Sequence, residues 1–386
     1  MGTPSRFRRT RLAERFADQI LADGMEPGSG SGLFLAAPRR TGKSTFMRED
    51  LRPQLEARGA LVLYVDLWAD RKSDPGDVII TAVRAELAKH KGLIAQLARA
   101  AGMEKVSIGG QASFSLDRVG LGSTVSLSAA LAALSDEIKR PMVLIIDEAQ
   151  HAITTERGDD ALFALKAARD EVNSSSHHRL CIVAIGSNRD KLAMLRNSKD
   201  QAFFGAPLVA FPTLGDDYIA WFCENISLPG KLDRESVGAL FRRAGSRPEI
   251  LGAAMQALRF DFALEAHDVP ARFAAAVEAQ IRADDDQTLR VFHALTPLQS
   301  AVLRVLAAKR GEYAPFEAAT IAAYRRVLKK IAPDEMVTAD VTNVQQALAA
   351  LQEKSLIWKE RRGVYALEES ALADLLASKG LLDLAP

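Results

Sequence analysis

Cysteine is nearly missing from this chain. There are 2 in 386 residues, Cys181 and Cys223, far apart in apolar surroundings, with neither a metal-binding spacing nor a disulfide framework. That fits a reducing compartment. Charge of one sign is also missing: 50 Lys+Arg against 49 Asp+Glu leave a net charge of +1, so no overall field commits the protein to nucleic acid or acidic lipid, although a local patch still could. No apolar run approaches the ~18 residues that span a bilayer. The arginine-rich start (Arg6, Arg8, Arg9, Arg11, Arg15) is not followed by the apolar core of a secretory signal. A cytoplasmic protein with no membrane partner is the expectation. Internal repeats and low-complexity tails are absent too, and the length suggests two or three domains. The 3 tryptophans, Trp68, Trp221 and Trp358, read as packing residues, and His177-His178 lack metal partners.

What is present is organised by hydrophobic period. Residues 6–23 carry a helical period, and "GMEPGSGSG" (24–32) is a flexible break. Strands are expected at 33–37, 60–68, 142–147, 180–186 and 208–211. Helices are expected at 43–55, 74–90 (with Asp74 as N-cap), 127–139, 158–173 and 190–196. A Gly/Ser/Val-rich stretch, 104–126, reads as a small hairpin-like insertion. Strands alternating with helices predict an α/β fold, a parallel sheet covered on both faces. From 216 to about 280 the pattern is helical only, and "RADDDQ" (282–287) marks a boundary. The expected division is 1–32, 33–213, 214–287 and 288–386.

The stretch "LFLAAPRRTGKSTFMRED" (33–50) carries the first chemistry. Seven of the eight positions of G-x-x-x-x-G-K-[ST] are met by Ala37-Pro38-Arg39-Arg40-Thr41-Gly42-Lys43-Ser44, with a strand before and a helix after. Such a loop points backbone N–H groups and a helix N-terminus at phosphate oxygens. Gly42 permits close approach, Lys43 reaches the β- and γ-phosphates, Ser44 ligates Mg²⁺ and Thr45 lies near the α-phosphate. Ala37 stands where a glycine is usual. It is tolerated at negative φ and costs about 1–2 kcal/mol if the position is left-handed. The second half of the site is the strand "MVLII" ending in Asp147-Glu148. Apolar strands do not end in paired carboxylates for packing reasons. Asp147 is placed to hold the Mg²⁺ shell and Glu148 to polarise the attacking water, with His151 close behind.

In chain order one more strand, 60–68, stands between the loop strand and the carboxylate strand. That order, with Glu beside Asp, resembles the additional-strand P-loop ATPases of the AAA+ class. "PRRTGKS", "IIDEAQ" and "NSKDQAFFGAPLVAFPTL" look most like the archaeal-type branch, near the replication-initiator and STAND groups, over roughly residues 7–260. The resemblance implies ATP and Mg²⁺ as ligands, a P-loop core (33–213) and a helical lid (214–287). It implies that Asn188, with Ser187 second, orients the water, and that Arg247 of "RRAGSRPEIL" contacts the γ-phosphate from the lid. Ring-forming members of the class supply an arginine in trans, for which Arg189, Arg196 and Lys199 are the candidates. Nucleotide-dependent homo-oligomers are therefore among the expected partners.

The last block, 288–386, reads as three helices (297–309, 316–332 and 339–354, the third capped by Thr338) and two strands turning at Arg361-Arg362-Gly363. That pattern is a winged helix-turn-helix. The third helix puts Val341, Val344, Leu348 and Leu351 on its apolar face and Thr342, Asn343, Gln345 and Gln346 opposite. With double-stranded DNA as partner, Asn343, Gln345 and Gln346 reach base edges while Lys359, Arg361 and Arg362 meet phosphates. With 12 basic and 11 acidic residues after Leu295, a partner protein docked on the same block is the alternative, and a small-molecule kinase a distant third. The arginine-rich start could add phosphate contacts or be a loose tail.

Overall fold

The computed structural model describes residues 6–22, 32–70, 72–90, 92–93, 97, 126–174, 177–197, 201–361 and 363–382. The insertion expected at 104–126 lies outside these except for Ser126. So do the lead-in other than Gly32, Lys199 and Arg362. The chain forms two units, Met1–Asn225 with Ser246–Pro248, and Ile226–Gly245 with Glu249–Pro386.

In the first unit, α1 (Thr10–Leu21), β1 (Leu33–Ala36), α2 (Lys43–Phe46), α3 (Arg52–Ala57), β2 (Leu61–Asp66), α4 (Pro75–Leu87), α5 (Leu127–Ile138), β3 (Met142–Asp147), α6 (Glu156–Ser174), β4 (Leu180–Gly186), α7 (Arg189–Met194), β5 (Leu208–Ala210) and α8 (Asp216–Asn225) follow in order. The five strands are parallel in the order β2-β3-β4-β1-β5. The strand lying between loop strand and carboxylate strand in space is thus β4. The stretch read as 60–68 forms β2, on the far side of β3. Apolar runs with no polar alternation make sense here, because both faces are covered. Along β3, Met142, Leu144 and Ile146 enter one buried cluster with α4, α5 and α6, while Val143 and Ile145 enter a second with α1, α2 and α3. Asp74 caps α4 as expected, its carboxylate accepting from the Gly76 N–H at 2.8 Å.

The helix after the loop is not regular throughout. Between α2 and α3, Met47–Leu51 form a π-helical turn. Pro53 explains it. It has no N–H to return to Glu49, so the ladder widens there. The Glu49 carbonyl left over accepts from the Arg8 guanidinium. Arg8 also reaches Asp50 Oδ1 at 3.3 Å, Arg6 reaches Glu49 Oε2 at 3.3 Å, and Arg9 Nη1 donates to the Pro212 carbonyl at 2.8 Å. Arg6, Arg8 and Arg9 are therefore a strap across the loop helix rather than a loose tail.

The second unit contains α9 (Arg234–Arg243), α10 (Pro248–Arg259), α11 (Val269–His293), α12 (Pro297–Lys309), α13 (Ala318–Ile331), α14 (Val341–Glu353), β6 (Ile357–Arg361), β7 (Val364–Leu367) and α15 (Ala371–Ser378). The charged run 282–287, read as a boundary, lies inside α11. Charges at helical spacing solvate a helix face as well as they solvate a linker. Three helices and an antiparallel hairpin follow, as the pattern predicts, with Gly363 at φ 79° in the turn. Their core joins Val302, Leu306, Tyr324, Leu348, Leu351 and Ile357. Two details differ. The cap of α14 is Asp340, whose carboxylate accepts from the Asn343 N–H at 2.9 Å, so the helix starts two residues later than Thr338 would set it. Val341 then falls in the first turn, where it is exposed (53%), and Ala347 takes its place in the core. Among the described residues no helix is long and apolar enough to cross a membrane.

Candidate functional site

Register positions the chemistry. Ala36 pairs with Gly186, Ile146 with Ala184 and Asp66 with Asp147, so β1, β4, β3 and β2 end side by side. The loop leaving β1 and the carboxylates leaving β3 therefore meet at one edge. Ala37 is not among the residues with positive φ; the left-handed positions of this loop are Arg40 (φ 62°) and Gly42 (φ 86°). The alanine is unstrained, which is why the loop tolerates it. A Cβ at Gly42 would meet nothing nearer than Leu214 Cδ1 at 4.0 Å, so the glycine answers a demand of backbone conformation rather than of space.

A cavity of about 410 Å³ opens over this loop. Arg39, Arg40, Gly42, Lys43, Ser44 and Thr45 line one side, and Trp68 and Glu148 the other. Pro38 and Thr41 do not line it. They shape the loop instead, the Thr41 hydroxyl donating to the Pro38 carbonyl at 2.7 Å. Lys43 is 4% exposed, and its ammonium donates to the Ala37 and Pro38 carbonyls at 2.7 and 2.9 Å. Burial pulls this amine below the usual lysine range, with Glu148 and Asp147 opposing the shift. An ammonium held by two carbonyls keeps a third proton for an incoming anion.

Asp147 is 1% exposed and takes hydrogen bonds from the Tyr64 hydroxyl, the Ser44 hydroxyl and the Glu148 N–H. Burial pushes its carboxyl above the usual range. The Tyr64 and Ser44 hydroxyls counter the shift, and the neighbouring Glu148 and Asp66 carboxylates add to it. Arg48 joins the group, donating to Asp66 Oδ2 at 2.7 Å and lying 4.6 Å from the Tyr64 ring centre. Among the described residues no cluster of three or more His, Cys, Asp or Glu could hold a metal. What is present suits Mg²⁺, which takes oxygen ligands, keeps several waters and relies on one or two carboxylates plus phosphates. Asp147 and the Ser44 hydroxyl in contact are such an oxygen pair.

Glu148 sits at φ 51°, a left-handed turn that swings its carboxylate away from that of Asp147. Its Oε2 accepts from Ser187 Oγ at 2.8 Å and from the Gln150 amide. Gly186 makes the second contact feasible, since a Cβ there would lie 2.3 Å from Gln150 Oε1. Of the two polar residues weighed at the tip of β4, Ser187 is the one against Glu148. The Asn188 side-chain oxygen instead caps α7, accepting from the Asp190 and Lys191 N–H groups at 3.1 and 3.0 Å. The two should separate by experiment. Asn188→Ala is expected to cost about 1 kcal/mol of stability as a lost cap, with turnover preserved. Ser187→Ala is expected to leave the melting temperature alone and lower kcat about tenfold. Thermal melts and steady-state kinetics on both variants check it.

Sequence reasoning missed Tyr64, Arg48, Gln150 and Trp68 as members of this site. Only β3–β2 pairing brings Tyr64 to Asp147, and a lone tryptophan after a strand carries no signal of its own. Trp68 is a wall of the cavity as well as a packing residue, with the His151 ring 4.2 Å away. Arg247 stands in the turn before α10 and is not among the residues lining the cavity. Arg189 opens α7, and Arg196 Nη1 lies 3.2 Å from Asn197 Oδ1.

In the second unit Gln345 and Gln346 are exposed on α14 and Lys359 is exposed on β6. Asn343 is committed locally: its amide donates to the Thr338 carbonyl at 3.2 Å and to Asp340 Oδ2 at 2.8 Å. It closes the helix start. Arg361 ends β6. Helix α13 adds four exposed basic residues that sequence reasoning passed over, Arg325, Arg326, Lys329 and Lys330. They fall at i, i+1, i+4 and i+5, on one side of the helix.

A parallel sheet with this strand order, a phosphate loop after β1 and a carboxylate pair at the tip of β3, with β4 between the two, define a P-loop nucleoside-triphosphate-binding fold. Residues 28–194 match the family model described as an AAA domain. The chain is similar in structure to the ORC2 protein of Aeropyrum pernix in its ADP form (TM-score 0.58, 14% identity, covering 100% of this chain and 97% of that one). It is also similar to the Walker-type ATPase of Pyrococcus abyssi (TM-score 0.51, 15% identity, 96% and 97% covered). A further structure of the Aeropyrum ORC2 protein, with ADPNP and ADP, gives a TM-score of 0.51 at 16% identity, with 98% and 96% covered. No curated protein matches the chain.

Proposed function

We propose that the first unit binds Mg·ATP and hydrolyses it, and that the second unit acts on double-stranded DNA. One observation carries the first half: Lys43, Ser44 and Glu148 line a single cavity, with Asp147 hydrogen-bonded to Ser44 and Ser187 to Glu148. In this reading Arg40, Gly42, Ser44 and Thr45 receive the phosphates, while Lys43 neutralises the β- and γ-oxygens. Asp147 and Ser44 hold Mg²⁺, which when bound draws charge from the β- and γ-phosphates. Glu148, steadied by Ser187, accepts a proton from a water whose oxygen bonds to the γ-phosphorus. The bond from that phosphorus to the bridging oxygen breaks, and its electron pair leaves with ADP.

The DNA half rests on the helix-helix-hairpin arrangement, the exposed Gln345, Gln346 and Lys359, and the basic side of α13. With roughly four phosphate contacts, affinity for a duplex is expected to fall about 10²-fold between roughly 50 and 200 mM salt. Replacing Arg326 and Lys329 together by alanine should reduce the logarithmic salt slope by about two. Fluorescence anisotropy with a labelled duplex, with and without ATP, measures both. No binding at low salt in either state would remove the DNA reading and leave the nucleotide reading standing.

A further inference from the structure

The site contains an arginine that neither the loop pattern nor the lid requires. Arg39 is the third residue of the phosphate loop and lines the cavity beside Lys43 and Glu148. Its guanidinium carbon lies 5.2 Å from the centre of the Trp68 ring, and its Nε is 3.4 Å from Ser187 Oγ. That same hydroxyl donates to Glu148 Oε2 at 2.8 Å. The Arg39 charge acts on the Lys43 ammonium, lowering its proton affinity. Arg39 therefore sits where the two halves of the site meet, between the cation for the β- and γ-phosphates and the carboxylate for the water.

We infer that Arg39 is the transition-state arginine of this ATPase, acting in cis. The inference deepens the nucleotide reading above and rests on it. As the γ-phosphoryl group passes from the bridging oxygen of ADP to the water oxygen, charge develops on its equatorial oxygens and on the bridging oxygen. A fixed guanidinium stabilises that charge. Two features suit Arg39 to the task. The Trp68 face attracts and orients the planar guanidinium. The link through Ser187 to Glu148 joins the charge-stabilising group to the proton acceptor, so both are set by one small network. An arginine supplied this way needs no second copy of the chain.

The test is steady-state ATP hydrolysis by the full chain, with nucleotide binding measured separately by a fluorescent ATP analogue. Wild-type specific activity should stay constant over about a hundredfold dilution, since mass action does not weaken a cis site. Arg39→Ala should lower kcat about 10²–10³-fold while changing KM less than about threefold. Arg39→Lys should recover little of the loss, because an ammonium lacks the planar fork. Mixing Arg39→Ala with Glu148→Gln chains should restore nothing. Wild-type kcat in Arg39→Ala, or recovery on mixing, would overturn the assignment and leave the ATPase reading intact. A wild-type chain that binds the analogue but releases no phosphate would overturn both.

Discussion

Lys43→Ala is expected to abolish the stabilisation of this protein by Mg·ATP. In the wild type, nucleotide at about a hundred times its Kd adds roughly 2.7 kcal/mol to the folded state, a shift of several degrees in a thermal melt. The variant should show none at the same concentration, its affinity falling about 10²–10³-fold for a loss of about 3–4 kcal/mol. The size follows from the surroundings. Lys43 is almost fully enclosed, its two carbonyl partners belong to the loop itself, and Glu148 and Asp147 help it stay charged. An ammonium so held is oriented before the ligand arrives, so its removal costs the ligand a charge-assisted contact with little compensation. Without nucleotide the variant should melt near wild type, because the hydrogen bonds lost are offset by the cost of burying the charge no longer being met. An unchanged ATP-induced shift in Lys43→Ala would mean that the triphosphate lies elsewhere.

The second large effect is on turnover. Glu148→Gln should bind Mg·ATP like the wild type and hydrolyse it about 10²–10⁴-fold more slowly. Glutamine keeps the length, and its amide oxygen still accepts from Ser187, so the network at the tip of β4 survives. What it lacks is a site for the water's proton. Binding should persist because the carboxylate lies across the cavity from the loop that receives the phosphates. Single-turnover hydrolysis alongside equilibrium binding separates the two. Turnover near the wild-type rate would show that another group takes the proton.

Much of this was legible in the residues themselves. Gly42-Lys43-Ser44 after an apolar run and Asp147-Glu148 at the end of another announce a phosphate loop and a carboxylate pair, because neither pattern serves packing. Asp74 before a proline announced its helix. Other features were hidden for physical reasons. Pro53 predicts a disturbed ladder, but not that Arg8 would take the carbonyl it leaves. Ser187 and Asn188 are adjacent polar residues at a strand end. Only the left-handed turn at Glu148 and the cap on α7 decide which of them faces the site. Asp340 and Thr338 are both good helix caps, and the hydrogen bond to Asn343 chose between them.

The sequence alone determined the fold class and the chemical inventory of the site: alternating strands and helices predict a doubly covered parallel sheet, and a glycine-lysine-serine turn into a helix favours an anion. Tertiary structure decided which strands are neighbours, and through that everything that depends on distance. Pairing β3 with β2 brought Tyr64 and Asp66 to Asp147, and placing β4 between β3 and β1 brought Ser187 to Glu148 and within reach of Arg39. The reason is that periodicity records which side of an element is buried, whereas strand order is set by how whole faces pack, and no local pattern encodes the partner.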